Sequence, residues 1–226
     1  MGKLIVFEGI DGSGKSTQYE LLCDRFTAEN RHYMHIRFPR YDKPSSSLLR
    51  MYLGGEFGED PDSVNAFAAS SFYAVDRYAS FMQDWREYYE AGGLILTDRY
   101  TTSNAIHQGA KLPPESRESF FKWLYEYEFN LLGLPAPDMV IYMEIGAAQA
   151  ARRLHDRQVK TDTIGDIHEK DTSYLIQCSS CANQAAAILG WHKVCGFSDG
   201  IERTEADLHT EIYNVIMDSN SELFQS

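Results

Sequence analysis

Eight residues, Gly9-Ile10-Asp11-Gly12-Ser13-Gly14-Lys15-Ser16, fit G-x-x-x-x-G-K-[ST], and Thr17 adds a second hydroxyl. Glycines at this spacing let backbone N–H groups close around phosphate oxygens. Lys15 then reaches the β/γ-phosphates of a nucleotide, and a hydroxyl at Ser16 or Thr17 ligates Mg²⁺. A second pair, Asp98-Arg99, joins a carboxylate suited to Mg²⁺-bound water with a guanidinium suited to a phosphate. Arg152, Arg153 and Arg157 add cations further on. The chemistry these groups suit is phosphoryl transfer, which needs crowded negative charge neutralised and two phosphates aligned. Tyr73 and Arg77, four residues apart, would place a ring and a guanidinium one above the other on a helix, although the spacing equally fits a solvated face with an internal contact.

Elements must hold these groups at one place. Leu4-Ile5-Val6-Phe7 reads as a buried strand feeding the glycine loop, and Tyr19, Leu22, Cys23 and Phe26 follow at helical spacing. His32 to Phe38 reads as a second strand stopped by Pro39. Pro44 to Ser47 opens a short helix closed by Gly54-Gly55. Val64, Phe67, Ala68, Ser71, Phe72, Val75, Ala79, Met82, Trp85 and Tyr89 predict an amphipathic helix of about seven turns, ended by Gly92-Gly93. Leu94 to Asp98 is a buried strand finishing on its carboxylate, and ligands sit beyond the carboxyl ends of such strands. A short helix follows from Thr101 to Gln108, then a core helix from Pro113-Pro114. Pro137 to Glu144 and Trp191 to Phe197 complete five strands, and helices cover Ala147 to Leu154, Asp171 to Leu189 and Glu205 to Met217. His155 to Lys170 is polar and lacks core periodicity, so a lid over about 152–170 is expected. Strands alternating with helices predict a parallel sheet with helices on both faces, in one domain over 1–226.

Bulk properties exclude several functions. With 33 acidic against 21 basic residues and a net charge of −12, the chain repels a nucleic acid polymer, while a small nucleotide held by local arginines remains compatible. No apolar run approaches the roughly 20 residues of a membrane helix, and no secretory signal is visible, which points to the cytoplasm. Cys178 and Cys181 form C-x-x-C but share a helical face with Tyr174, Leu175 and Ala182, so buried thiols are expected rather than zinc or redox chemistry.

Many phosphate-binding proteins carry the glycine loop. No N-K-x-D guanine signature occurs and no D-x-x-G follows the third strand, while arginines spread over separate elements favour a nucleoside monophosphate kinase. Over essentially its whole length the chain resembles the thymidylate kinases. Asp11 inside the glycine loop, Phe38-Pro39, Tyr73-Ala74-Val75-Asp76-Arg77, Asp98-Arg99-Tyr100, Ser103-Asn104, Gln108-Gly109 and Pro137-Asp138 all occur in that family's order.

The resemblance implies a three-layer α/β/α P-loop kinase fold with a five-stranded parallel sheet and a short lid. It implies transfer of the γ-phosphate of ATP to dTMP with Mg²⁺. Residues Gly9, Asp11, Gly12, Ser13, Gly14, Lys15, Ser16 and Thr17 would hold ATP, with Ser16 and Asp98 at the metal. Asp11 would accept from the sugar 3′-OH, Tyr73 would stack on thymine where the family usually has Phe, and Arg77 would reach the base edge or phosphate. Arg99 would clamp the acceptor phosphate, and Phe38, Pro39, Arg40, Ser103, Asn104, His107 and Gln108 would line the acceptor site. Because Gly12 stands where some members carry a basic residue, Arg153 and Arg157 of the lid would supply that charge. Two departures concern the acceptor. Tyr41 stands where many members have an arginine, with Arg40 one position early, and His107 replaces a ring that crowds the sugar 2′ position. The family also implies a homodimer through the helix at 62–90, although a buried core helix would look the same.

Two rivals remain. A deoxynucleoside kinase would act on the neutral 5′-hydroxyl of thymidine and needs a carboxylate base there, whereas Arg77 and Arg99 suit a phosphate. A non-catalytic nucleotide sensor would be expected to lose Lys15, Asp98 or the lid arginines, and none is lost.

Overall fold

The computed structural model describes residues 1–161 and 172–219. Strand β1 (Lys3–Glu8) is the middle of the sheet, and Leu4, Ile5, Val6 and Phe7 are wholly buried in it. Such an unbroken apolar run is what a strand covered on both faces requires. The sheet order is β2 (Met34–Arg37), β3 (Leu94–Asp98), β1, β4 (Met139–Glu144), β5 (His192–Cys195), all parallel. From β1 the chain winds first to the β2/β3 side and then to the β4/β5 side. The crevice beyond the carboxyl end of β1 is therefore a topological switch point, where α/β sheets bind ligands. Register completes the placement: Asp98 lies opposite Phe7 on one side and Arg37 on the other, so Glu8, Arg37 and Asp98 arrive together at one edge.

Helices α1 (Lys15–Ala28) and α9 (Glu205–Ser219) cover one face, burying Tyr19, Leu22, Phe26, Leu208, Ile212 and Ile216. On the other face lie α5 (Thr101–His107), α6 (Pro114–Tyr125) and α8 (Thr172–Leu189), packed through Phe120, Phe121, Cys178, Cys181 and Ala185. Cys178 and Cys181 are buried thiols on α8, and burial pushes both up from the ordinary thiol range. Helix α2 (Ser47–Leu53) follows a turn at Pro44–Ser46, and α7 (Ala147–Thr161) follows β4. A two-stranded hairpin of Phe197–Ser198 (β6) and Ile201–Glu202 (β7) turns through Asp199 and Gly200, both at positive φ as a tight hairpin turn needs.

The structure corrects two expectations. The long helix is a composite of α3 (Ala66–Ser80), a π turn at Phe81–Trp85 and α4 (Arg86–Glu90), opened by the Asn65 side chain, which accepts from the N–H groups of Phe67 and Ala68. A π turn holds one extra residue and rotates the downstream face by about 100°. Trp85 and Tyr89 are buried, but Phe67, Val75 and Met82, read as the same stripe, are 44%, 50% and 44% exposed. The face turned inward before the π turn is mostly small or polar: Ala69, Ala74, Arg77, Ser80. The second correction concerns the lid. The helix expected to stop at Leu154 runs on through 152–161 as the continuation of α7, where Arg, Leu, Gln and Lys favour helix. The rest of the expected lid, 162–170, lies outside the described residues.

Candidate active site

The glycine loop spans the gap from β1 to α1. Gly12 and Gly14 have φ of 81° and 87°, which side-chain-bearing residues rarely adopt. Space forbids a side chain as well. A Cβ on Gly12 would come within 2.4 Å of the Ala150 carbonyl oxygen, because the first turn of α7 packs directly on the loop. That packing also brings Arg153 over the loop, where its Nη1 would lie 3.1 Å from a Cβ on Gly14, while Glu202 of the hairpin pairs with the same guanidinium. Ser13 Oγ is buried without a partner in the protein, a hydroxyl left for a ligand.

Lys15 is ion-paired with Asp98, and both are buried. Burial pushes the Lys15 ammonium below its ordinary range and neighbouring Arg99 adds to this, while Asp98 and Glu8 oppose it. The other carboxylate oxygen of Asp98 lies 3.3 Å from Ser16 Oγ and 3.0 Å from Arg37 Nε. A hydroxyl and a carboxylate side by side are hard oxygen donors of the kind Mg²⁺ takes. Among the described residues no cluster of three or more His, Cys, Asp or Glu side chains is placed to hold a metal. The pair accordingly fits an ion that keeps most of its shell from water and phosphate.

Arg99 follows Asp98 with φ of 70°, a left-handed conformation that costs a non-glycine residue about 1–3 kcal/mol and collects at functional sites. The turn aims its guanidinium across the loop at Asp11, with which it is ion-paired. Nη1 lies 3.0 Å from His107 Nε2 and 3.5 Å from Ser103 Oγ. Burial works against its charge, but Asp11, Glu8 and Asp98 outweigh that and raise it, so Arg99 is a fixed cation.

Two clefts meet here. The larger, about 590 Å³, is lined by Ile10 to Gln18, Arg37, Asp98, Arg153, Arg203 and Leu208 among others. The smaller, about 140 Å³, is lined by Leu53, Tyr73, Ser103, Asn104, His107 and Gln108. Asp11, Pro39, Tyr41 and Arg99 line both. Gln108 is wholly buried in the wall of the smaller cleft and neither end of its amide has a partner. His107 is held from two sides, by Arg99 and by Cys178, whose Sγ is 3.6 Å from Nδ1.

Several candidates stand elsewhere. Arg77 lines neither cleft: it is 1% exposed, and its Nε and Nη2 donate to Glu128 at 2.6 and 2.5 Å. It shares a helix with Tyr73, but the guanidinium is drawn inward because Glu128 offers a buried carboxylate that needs a cation. Arg40 is likewise turned away, donating to Asp76 Oδ1 at 3.2 Å, pairing with Asp84 and tying the loop after β2 to α3. Phe38 packs in the core against Tyr100 and also borders the larger cleft. The Arg157 side chain lies outside the described residues.

Sequence reasoning also overlooked residues. Glu8 accepts from Thr102 Oγ1 at 2.6 Å, Ser103 Oγ at 2.8 Å and the Tyr100 N–H at 3.3 Å, joining the end of β1 to the start of α5. Burial raises its carboxyl above the usual range, against the pull of Arg99, Thr102, Ser103 and Lys15. An acid as the last residue of a buried strand was the available signal. Arg37 and Glu128 also carried no sequence expectation, and for Glu128 nothing in the local sequence distinguishes it from a surface acid.

A model of the thymidylate kinase family matches residues 7–207. The thymidylate kinase of Mycobacterium tuberculosis is 31% identical over 190 residues, 83% of this chain and 87% of that protein. The human thymidylate kinase is 31% identical over 154 residues, 67% of this chain and 65% of its own. A solved thymidylate kinase from Candida albicans shares the fold, with a TM-score of 0.70 at 20% identity over 98% of this chain and 93% of that one.

Proposed function

This chain belongs to the thymidylate kinase family, and from that premise we propose that it transfers the γ-phosphate of ATP to dTMP, giving dTDP and ADP. The observation that carries the reading is the junction of the two clefts at Asp11 and Arg99. A large donor cleft and a small acceptor cleft sharing one fixed cation suit a reaction that must bring two phosphates together. The loop Gly9–Thr17 holds the donor phosphates, with Lys15 at the β/γ oxygens. Arg99 holds the acceptor phosphate and Asp11 the sugar hydroxyl. Tyr73, Asn104 and Gln108 surround the base, with Ser103, His107, Pro39 and Phe38 around them. Arg153 adds charge where Gly12 leaves room for none, and Arg157 follows one turn later on the same helix. Ser16 and Asp98 would hold Mg²⁺, which supplies neutralisation of phosphate charge when bound.

Discrimination at the base has a limit. A pocket that reads the thymine methyl gains about 1–3 kcal/mol over uracil, roughly 10- to 200-fold, so slow phosphorylation of dUMP is expected. The test against the nearest alternative is to supply thymidine or dTMP with ATP and follow the nucleotide product. The reading expects dTDP from dTMP and nothing from thymidine; conversion of thymidine to dTMP without dTDP would overturn it.

The protein acts as a homodimer through the helix at 62–90, a reading supported by the exposure of Val75 and Met82 two turns apart on α3 and its π turn. Val75→Glu is expected to convert a dimer into a monomer in light scattering at micromolar concentration; a monomeric wild type would contradict this. The cytoplasm is the place that fits, supported by use of ATP and by four unbridged cysteines. Among the described residues no helix is long and apolar enough to cross a membrane.

A further inference from the structure

The smaller cleft rests on a buried charge that no step of the transfer uses. Glu128 sits in a π turn that ends α6 (Glu126–Leu131) and has no exposed surface. Its Oε2 accepts from Arg77 Nε at 2.6 Å and Thr101 Oγ1 at 2.7 Å, and its Oε1 accepts from Arg77 Nη2 at 2.5 Å. The remaining donor near Oε1 is Asn104 Nδ2 at 3.4 Å, which also donates to the Ser70 carbonyl at 3.2 Å. Asn104 lines the smaller cleft.

An ionised carboxylate and a backbone carbonyl only accept, so they can be satisfied only by the NH₂ end of the Asn104 amide. The amide is thereby fixed in one of its two orientations, with the carbonyl oxygen as the end left to the cleft. Arg77 makes this arrangement stable, because its two parallel N–H bonds hold the carboxylate plane. A fixed acceptor at the cleft suits a ring that presents an N–H, as thymine and uracil do at N3. It opposes the lone pair that cytosine presents at the same position. An unconstrained asparagine would turn to suit either.

We infer that Glu128, held by Arg77, is a specificity-determining positioning residue: it fixes the Asn104 amide so that the acceptor cleft takes 4-oxo pyrimidines with an N3–H and rejects 4-aminopyrimidines. This rests on the proposed reading of the smaller cleft as the site of the acceptor base. It differs from that reading in placing discrimination on a residue that never touches the substrate.

The test compares kcat/KM for dTMP and dCMP in the wild type, in Glu128→Gln and in the pair Arg77→Met with Glu128→Gln. The pair removes both buried charges together, which keeps the comparison available if the single variant fails to fold. In either variant the dTMP-over-dCMP ratio is expected to fall by about tenfold or more, the scale of one mispaired buried polar group. The wild type should in addition lose binding to N3-methyl-dTMP, measured by calorimetry, since the methyl removes the donor. A ratio unchanged within about twofold, whatever happens to turnover, would show that Glu128 is only structural and overturn the inference alone. Wild-type binding of N3-methyl-dTMP as tight as of dTMP would do the same. A wild type that phosphorylates no pyrimidine monophosphate would overturn the functional reading, and the inference with it.

Discussion

Lys15→Met is expected to lower kcat about 10²- to 10³-fold while leaving KM for dTMP within a fewfold of the wild type. The side chain is buried, ion-paired with Asp98 and rooted in a loop whose geometry is set by glycines at positions 12 and 14, so its charge is held at one place. Arg153 comes over the loop from the opposite wall and Arg99 is committed to Asp11. Methionine keeps most of the buried volume and removes only the charge, so what is lost is stabilisation of charge developing on the transferred phosphoryl group. Because the ammonium is not in the smaller cleft, acceptor affinity should survive. Steady-state kinetics at saturating ATP reads both quantities. A fall in kcat smaller than about tenfold would mean that the loop holds phosphate without Lys15 doing chemistry.

The second large effect is on stability. Arg77→Ala is expected to cost about 3–5 kcal/mol, since it leaves Glu128 buried and without its cation. For a chain of this length that corresponds to a Tm lower by about 6–20 °C. The contrast is Lys3→Ala, whose pair with Asp138 has side chains 43% and 28% exposed and should be worth less than about 1 kcal/mol. Thermal melts of the three proteins at one pH and salt decide the matter. If Arg77→Ala melts with the wild type and loses affinity for dTMP instead, the guanidinium belongs to the substrate rather than to Glu128.

Arg77 also shows where the sequence stops speaking. The glycine loop, the strand ending at Asp98 and the arginine after it were legible, because each is a local pattern whose chemistry depends on residues a few positions apart. Asp11 and Arg99 meet because parallel register carries the ends of β1 and β3 to the same edge. Arg77 and Arg40 were misplaced because an arginine next to a nucleotide site has two possible anions to satisfy it. The protein supplies its own, Glu128 to the first and Asp76 to the second, from 51 and 36 residues away. The stripe from Phe67 to Met82 failed for a different reason. Periodicity identifies an amphipathic helix but not which of its faces meets the core, and here the inner face uses small residues for close packing. The continuation of α7 past 154 carried no core signal because His155 and Asp156, which follow the buried Leu154, face outward.

The central claim is that the smaller cleft selects dTMP as the acceptor of phosphate from ATP. A coupled assay of ADP release over a panel of dTMP, dUMP, dCMP and AMP, at fixed ATP and Mg²⁺, tests it most directly. The account predicts the largest kcat/KM for dTMP, dUMP below it by about 10- to 200-fold, and dCMP and AMP lower still. A larger kcat/KM for dCMP or AMP than for dTMP would contradict it.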